Sequence, residues 1–370
     1  MHIHRVTLQN FRNISAVDLE LTCGINILYG ENAQGKTNFL ESVYFCATGR
    51  SHRGTRDRDL IMISEKEAGI RVVTRTQDGG MADEIRMNIT KDGKSSTINQ
   101  LPVKKLGELY GRLSVVIFSP EDLSLVKAGP QNRRRFLDME LCHLYPVYYH
   151  NLRMYYKVLK QRNNLLKGLN RDKSLIETLD LWDYQLVEYG NKIIGLRRIF
   201  IERLGRVAAK NQHSITCGRE DLEIIYRNHT DEDDFLRKLI KHRDGDVLRG
   251  LTSVGVHKDD IEFRVNGEDG RVFASQGQQR TAALAVKLAV VELARNEKGH
   301  PPVLLLDDVL SELDKGRQNY LLNNIDGLQT IITLTGAESA TGGYLRKVGT
   351  RVFNVENGIM GLQNPPGIKS

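Results

Sequence analysis

The chain has 370 residues, a formal net charge of +7 and 27% charged residues, which is typical of a globular protein and excludes a disordered one. No apolar run approaches the roughly 20 residues that cross a bilayer, and the N-terminus has no signal-peptide core, so we expect a cytoplasmic protein. The cysteines are scattered without C-x-x-C spacing, which supports neither a zinc site nor a disulfide framework. The positive charge favours a polyanionic partner.

The first elements predict a phosphate-binding strand, loop and helix. Residues 3–29 alternate as strands do and end in a buried run at residues 25–29, and an amphipathic helix opens at Asn38. A G-x-x-x-x-G-K-T motif lies between them, where Lys36 would hold the β- and γ-phosphates and Thr37 would ligate Mg²⁺. We therefore predict a nucleoside triphosphate site. Its loop consists of Gly30, Glu31, Asn32, Ala33, Gln34, Gly35, Lys36 and Thr37.

Basic residues cluster in the loop after this helix, at the start of a helix near residue 133, and along the helices that follow. Phosphate contacts from such side chains give affinity for DNA without sequence readout. Two alternatives stay open, a solvated charged face and, at residues 133–135, pairing with carboxylates inside the protein. The candidate DNA contacts are Arg53, Arg56, Arg133, Arg134, Lys157 and Lys160.

The middle of the chain predicts a helical arm. Apolar residues recur at heptad steps in two runs, from Leu141 to Leu169 and from Leu175 to Phe200, with a turn at residues 168–172 between them. Two such helices pack antiparallel as a short hairpin. Residues 215–249 are mixed and charged, and their pattern assigns no element.

A second helix start that suits a phosphate follows the arm. Ser275 and Gly277 offer a hydroxyl, backbone N–H groups and a positive dipole end at the opening of an Ala- and Leu-rich helix. Because the first loop already holds the triphosphate, this segment has no ligand in its own subunit. A two-fold sandwich, in which Ser275 closes on the partner's nucleotide, resolves this. A helix N-cap without a ligand is the alternative.

The acidic half of the site lies near the C-terminus. The apolar run at residues 303–306 predicts a central parallel strand that delivers Asp307 and Asp308 at its carboxyl edge. Asp307 would hold the Mg²⁺ that Thr37 also contacts, and Asp308 would orient water or act as a general base. A plain strand end is the alternative reading of this run. Residues 351–360 read as a hairpin with an Asn-Gly turn.

The order of these motifs resembles ABC-type ATPase heads, and within them the RecF family. The resemblance is carried almost end to end by the opening around residues 8–13, the phosphate loop through Asn38, the segments at 118–123 and 129–138, the S-x-G-Q-Q-R signature from Ser275, the Asp307-Asp308 strand end and the S-x-L-D loop at 311–314. Departures are Val256 and Lys258 in the segment that the family usually writes G-P-H-R-D-D.

The resemblance implies an α/β ABC-type ATPase head with an inserted antiparallel helical arm, divided as residues 1–124, 125–245 and 246–370. It implies ATP and Mg²⁺ as cofactors and adds Arg12, Asn38 and Gln278 to the nucleotide site. It also implies an ATP-dependent homodimer that binds DNA at gaps and helps load recombinase, with RecR and indirectly RecA as partners. With Asp308 where stronger hydrolases carry Glu, it implies a weak ATPase.

Two other classes remain as alternatives. A transporter ATPase subunit would show a Gln loop, an S-G-G-Q signature and a coupling surface for membrane helices, and the sequence shows none of these. A chromosome-organising head would carry a much longer arm with a zinc hook or hinge.

Overall fold

The computed structural model describes residues 1–76, 80–122, 125–169, 177–335 and 349–363. The chain forms two compact units, the first made of Met1–Leu123 with Val290–Ser370 and the second of Ser124–Ala289. The predicted turn at residues 170–172 and the seam residue Leu175 lie outside the described residues.

A mostly parallel sheet forms one layer of the first unit, with strand order β15-β14-β3-β13-β12-β8. Its central strands are short apolar runs whose residues are almost all buried, as expected for parallel strands covered on both faces. The strands are β3 Ile25–Tyr29, β8 Val115–Phe118, β12 Val303–Asp307, β13 Thr330–Leu334, β14 Arg351–Glu356 and β15 Ile359–Gln363. The predicted acidic strand and C-terminal hairpin are therefore present.

An antiparallel sheet of order β2-β1-β4-β5-β6-β7 completes the first unit. Its strands are β1 His2–Phe11, β2 Ile14–Glu20, β4 Glu67–Arg75, β5 Met81–Thr90, β6 Gly93–Ile98 and β7 Leu101–Pro102. Among the described residues, helices α1 Lys36–Thr48 and α8 Lys315–Asn324 lie wholly in this unit. Helix α1 contains Phe39, Leu40, Val43 and Phe45, all with no exposed area, so the helix after the phosphate loop is anchored in the core.

Helices dominate the second unit. They are α2 Pro130–Leu144, α3 Pro146–Leu169, α4 Leu179–Ile215, α5 Phe235–Lys241 and α6 Arg243–Arg249, and α7 Gln276–Lys298 begins in this unit. Arg162 near the end of α3 bonds Asp183 near the start of α4, whereas Tyr148 near the start of α3 bonds Arg197. Helices α3 and α4 are thus the predicted antiparallel pair.

The second unit also contains a small sheet that the sequence pattern did not predict. Strand β9 Leu222–Arg227 pairs with β10 Asp260–Val265, which pairs in turn with β11 Glu268–Asp269. Strand β9 lies in the segment predicted as helical arm, and β10 in the segment predicted as C-terminal head. The predicted division of the chain at residues 124/125 and 245/246 stays a prediction.

Two arginines in the helical seam are completely buried, which a heptad of apolar residues does not predict. Arg162 donates to Asp183, Asp246 and Thr252, and Arg197 donates to two carboxylates and the Val256 carbonyl. Burial of a charge is tolerated when the charge is paired and hydrogen-bonded. In the described part of the chain, no helix is both long and apolar enough to span a membrane.

Candidate functional site

The phosphate loop leaves β3 and turns into α1 at Lys36. The side chain of Lys36 is 6% exposed, and its Nζ donates to the carbonyl oxygens of Gly30 (2.6 Å) and Glu31 (2.7 Å). Burial lowers the pKa of Lys36, while the nearby carboxylates of Asp308 and Asp307 raise it. The ammonium group therefore points back into the loop, where phosphate oxygens could replace the two carbonyls.

Chain segments that are distant in sequence brace this loop. Asn13 donates through Nδ2 to the Ala33 carbonyl (3.1 Å). The turn between β14 and β15 donates twice to Gln34, from the backbone N of Asn357 to Oε1 (2.5 Å) and from the N of Gly358 to the carbonyl (2.9 Å). A Cβ on Gly358, whose φ is 77°, would lie 2.2 Å from the Asn13 carbonyl oxygen, so only glycine fits there.

The backbone of strand β14 packs against the phosphate loop at Gly30. A Cβ added at Gly30 would lie 2.2 Å from the carbonyl oxygen of Val355, which is backbone and cannot move aside. The first glycine of the motif is thus required by packing against β14 as well as by the turn. Neither Asn13 nor Asn357 was predicted as part of the site, because their role depends on strands that meet only in the folded sheet.

The carboxyl edge of β12 brings Asp307 to the start of α1. The Thr37 hydroxyl donates to Asp307 Oδ1 at 2.8 Å, and the Thr333 hydroxyl of β13 donates to the same oxygen at 2.9 Å. Burial raises the pKa of Asp307, and the hydrogen bonds from Thr37 and Thr333 lower it. Thr37 and Asp307, predicted as Mg²⁺ ligands across 270 residues of sequence, therefore lie within one hydrogen bond of each other. Their metal-binding role stays a prediction.

Asp308 has a strained backbone and a buried oxygen that lacks a partner. Its φ is 51°, an uncommon conformation for a residue other than glycine. Its backbone N donates to the Thr333 hydroxyl (2.9 Å), and its Oδ1 is buried without a hydrogen bond from any residue that the structure describes. An orphaned carboxylate oxygen at the mouth of a phosphate loop fits a group that would contact water or a metal ion.

Arg12 lies beside α1 and is paired. Its guanidinium donates to both oxygens of Glu41 (3.0 and 2.9 Å) and to the Asp59 carbonyl (2.8 Å). Glu41, one helical turn beyond Thr37, is completely buried and also accepts from the Ser51 hydroxyl. Burial alone would raise the pKa of Glu41, but hydrogen bonds from Arg12 and Ser51 keep its pKa below the ordinary value. Arg12 is thus held next to the nucleotide-binding helix, and its contact with a nucleotide stays a prediction.

Arg53, predicted as a DNA contact, lies beside α1, and its contact with DNA stays a prediction. Its Nη1 lies 3.7 Å from Glu41 and donates to Asn38 Oδ1 (3.2 Å), and its charge lowers the pKa of Asp307. Asn38 in turn donates to Asn13 (2.8 Å), so Asn38 links Arg53 to the residue that bonds the phosphate loop at Ala33. Glu41 was not predicted as part of the site, although a carboxylate four residues after Thr37 on a buried helix face is a usable signal.

In the second unit, Ser275 caps α7. The Ser275 hydroxyl accepts from the Gln278 backbone N (3.3 Å), and the Gln278 side chain accepts from the Ser275 backbone N (2.9 Å). This reciprocal pair is a capping box, which by itself accounts for a Ser and a Gln at these positions. Ser275 is exposed and Gly277 is half-buried. A role for Ser275, Gly277 and Gln278 at a partner's nucleotide stays a prediction.

Among the residues that the structure describes, the basic candidates separate into those with a side-chain partner and those without one. Arg133 is 5% exposed and donates to both oxygens of Asp260 (2.8 and 2.7 Å), so its charge is already neutralised inside the unit. This pairing is the alternative that the sequence left open for residues 133–135, and a contact of Arg133 with DNA stays a prediction. Arg134 donates to the Asp259 carbonyl (2.7 Å). Arg56, Lys157 and Lys160 are exposed, and their contact with DNA stays a prediction.

The segment at residues 254–260 is structural in this unit. Asp259 accepts from Arg197 (2.7 Å) and from the backbone N of His229 (2.8 Å), while Asp260 pairs with Arg133. His257 shares a hydrogen bond with the Tyr155 hydroxyl (2.8 Å), and burial lowers its pKa to about 4, which keeps the imidazole neutral. This segment therefore joins α2, α3 and α4 through buried polar contacts.

The fold and the site define an ABC-type ATPase head: a parallel sheet with a phosphate loop into α1, an acidic strand beside it and an S-x-G-Q helix start. The family profile for the RecF/RecN/SMC N-terminal domain matches residues 2–359. The protein named DNA replication and repair protein RecF in Lachnoclostridium phytofermentans is 45% identical over 361 residues, covering 97% of this chain and 99% of the relative. Its namesake in Lachnospira eligens is 44% identical, covering 98% and 100%. The chain belongs to the RecF family of SMC-like ABC ATPases.

Solved structures agree with this assignment. The structure of the recombination mediator protein RecF-ATP in the RecFOR pathway is 35% identical, with a TM-score of 0.91 and 98% of both chains covered. The Smc head domain of Pyrococcus furiosus, bound to the C-terminal domain of ScpA, has a TM-score of 0.55 at 15% identity. That second likeness shows a shared fold alone. The profile match and the near full-length relatives favour the RecF family over the predicted alternatives, a transporter subunit and a chromosome-organising head.

Proposed function

We propose that this chain is an ATP-dependent DNA clamp that acts in recombinational repair and at replication gaps. Two copies would close on ATP, each supplying its phosphate loop to one site and its Ser275 segment to the other, and slow hydrolysis would reopen them. The observation that supports this most is the 2.8 Å hydrogen bond between Thr37 and Asp307, which joins the phosphate loop to the acidic strand.

The residues at this site fit ATP with Mg²⁺. Lys36 directs its ammonium group into the loop, and Thr37 and Asp307 offer the oxygen ligands that Mg²⁺ prefers. The Oδ1 atom of Asp308 can still accept a hydrogen bond, because no described residue donates to it. When bound, Mg²⁺ supplies neutralisation of the phosphate charge. Asp308 would then orient the attacking water, and the shorter Asp in place of Glu is consistent with a weak ATPase used as a timer.

Membership of the RecF family supports the repair role, because the full-length relatives are named DNA replication and repair proteins. The RecF-ATP structure, described within the RecFOR pathway, supports the nucleotide and RecR as a partner, with RecA reached indirectly. The net charge of +7 suits a duplex or a junction between duplex and single strand, bound without sequence preference. A DNA partner implies a cytoplasmic location.

Mixing two inactive variants tests the shared site. Lys36→Met should abolish ATP binding, whereas Ser275→Arg should leave the monomer's ATP binding intact but stop dimerisation and hydrolysis, because a bulky cation would block the helix start. In a hybrid dimer one site carries both lesions and the other carries neither. Because neither variant dimerises alone, every dimer in an equimolar mixture is a hybrid with one working site, and hydrolysis should return to at most about half of the wild-type rate.

Light scattering with and without ATP provides the control, since each variant alone should stay monomeric. Loss of ATP binding by the Ser275→Arg monomer would place Ser275 at its own nucleotide and contradict the clamp. A mixture as inactive as either variant alone, with both proteins folded, would mean that one intact site cannot act without the other.

A further inference from the structure

Helix α3 carries positive charge with no acidic residue. Its 24 residues include Arg153, Lys157, Lys160, Arg162 and Lys167 but neither Asp nor Glu. Arg162 is completely buried and forms ion pairs with Asp183 and Asp246. The other four cations are exposed. In the described part of the chain, none of these four has an ion pair or a hydrogen bond from its side chain.

The four exposed cations lie along one face of the helix. Steps of four, three and seven residues from Arg153 through Lys157 and Lys160 to Lys167 keep them on one side of a helix with 3.6 residues per turn. They span about 21 Å at 1.5 Å per residue. The exposed residues between them on this face include Gln161 and Asn164, which are hydrogen-bond donors.

Helix α4, the antiparallel neighbour of α3, shows what an ordinary solvated face looks like. There Lys192 bonds Glu188 (2.6 Å) and Arg206 bonds Glu202 (2.9 Å), each as an i,i+4 pair. Such pairs neutralise exposed charge locally and stabilise the helix. Helix α3 forgoes this stabilisation along its whole outer face, so its charges are left available to an external anion.

We propose that this outer face of α3 is the track that holds the DNA backbone. The inference rests on the proposed function, and it selects one of the basic clusters. Arg133 and Arg53 are committed to carboxylates, whereas the α3 cations are not. A duplex carries one charge per about 1.7 Å of its axis, so about 21 Å of helix faces several phosphates. A protein partner fits less well, because lysine is depleted at protein interfaces.

The test neutralises Lys157 and Lys160 together as Gln and measures duplex binding across a range of salt concentrations in the presence of ATP. Each phosphate contact contributes about 0.9 to the slope of log K against log salt. We expect the slope to decrease by about 1.8 for each protomer on the duplex, and the affinity to fall roughly 30-fold near 0.15 M salt. The matched control is Lys192→Gln with Arg206→Gln, which removes the same net charge from α4.

The control variant should bind DNA as the wild type does, and both variants should bind a fluorescent ATP analogue normally. A wild-type slope for Lys157→Gln with Lys160→Gln would overturn the assignment to α3, and so would equal weakening by the control, because net charge would then explain it. Failure of the wild-type protein to bind duplex DNA with ATP would instead remove the proposed function itself.

Discussion

Replacing Arg197 tests whether buried charge pairing organises the second unit. The guanidinium of Arg197 is completely buried and donates to Asp138 (2.7 Å), Asp259 (2.7 Å), the Val256 carbonyl (2.8 Å) and the Tyr148 hydroxyl (2.9 Å). Arg197→Met fills a similar volume but leaves two carboxylates without their cation. Breaking a buried ion pair by removing one partner costs about 3 to 5 kcal/mol. That loss is a large share of the roughly 5 to 15 kcal/mol by which domains are stable.

The adjacent residue is the control. Arg198 is about half exposed and pairs at the surface with Glu232 (2.6 Å), so Arg198→Gln should lower the free energy of unfolding by no more than about 1 kcal/mol. Urea denaturation followed by the fluorescence of Trp182, the single tryptophan and a residue of α4, reports on this unit. A loss below about 1 kcal/mol in Arg197→Met would refute the reasoning.

The loss should also depend on pH. Burial raises the pKa of Asp259, and Arg197 is the main charge that lowers it. Without Arg197 the folded-state pKa rises further above the unfolded value, so the folded state holds the proton more tightly. Stability contributed by that proton is present at low pH and is lost as pH rises through the raised pKa. The deficit of Arg197→Met relative to wild type should therefore be smaller near about pH 5.5 than near about pH 7.5.

Two further predictions concern the nucleotide site. Asp307→Ala should weaken Mg²⁺-dependent ATP binding by roughly 10-fold or more. Asp308→Asn should leave binding largely intact and slow hydrolysis by about 100-fold. If calorimetry showed equal losses of ATP affinity in both variants, this division of roles would be contradicted. Thr333→Val removes the hydroxyl that bonds Asp307 and the Asp308 backbone, and it should lower the free energy of unfolding by about 1 to 3 kcal/mol and reduce Mg²⁺-dependent affinity. Thr333→Ser keeps the hydroxyl and should restore the affinity; an affinity as low as that of Val would show that the methyl group matters instead.

The nucleotide site could be predicted where chemistry is local. The strand before Gly30, the helix after Lys36 and the buried run before Asp307 are each written in a few consecutive residues. Thr333 was not predicted as part of the site, because its contact with Asp307 depends on the pairing of β12 with β13. Asp307 and Thr333 are 26 positions apart in the chain, and the parallel pairing of their strands is not visible in the sequence of either strand.

In the second unit, even less of the polar pairing could be predicted from the sequence. Arg162 and Lys160 belong to the same basic run in the sequence, yet Arg162 is buried against Asp183 and Lys160 is exposed. Helical periodicity separates the two faces, but it does not reveal that a cation on the buried face has a partner from α6. Strand β9 was missed for a similar reason, because its partner β10 follows more than 30 residues later.

The strand pairing of β3 affects when the sheet can form during synthesis of the chain. Both of its hydrogen-bonded neighbours, β13 and β14, come from the last tenth or so of the chain, although β3 itself is among the first elements to leave the ribosome. At about 5 to 20 residues per second, β3 waits roughly 15 to 60 s for those partners. The turn that holds Gln34 arrives with β14. We therefore expect that a nascent or truncated chain without β13 and β14 leaves the phosphate loop without these contacts, so that ATP binding begins only after both strands are made.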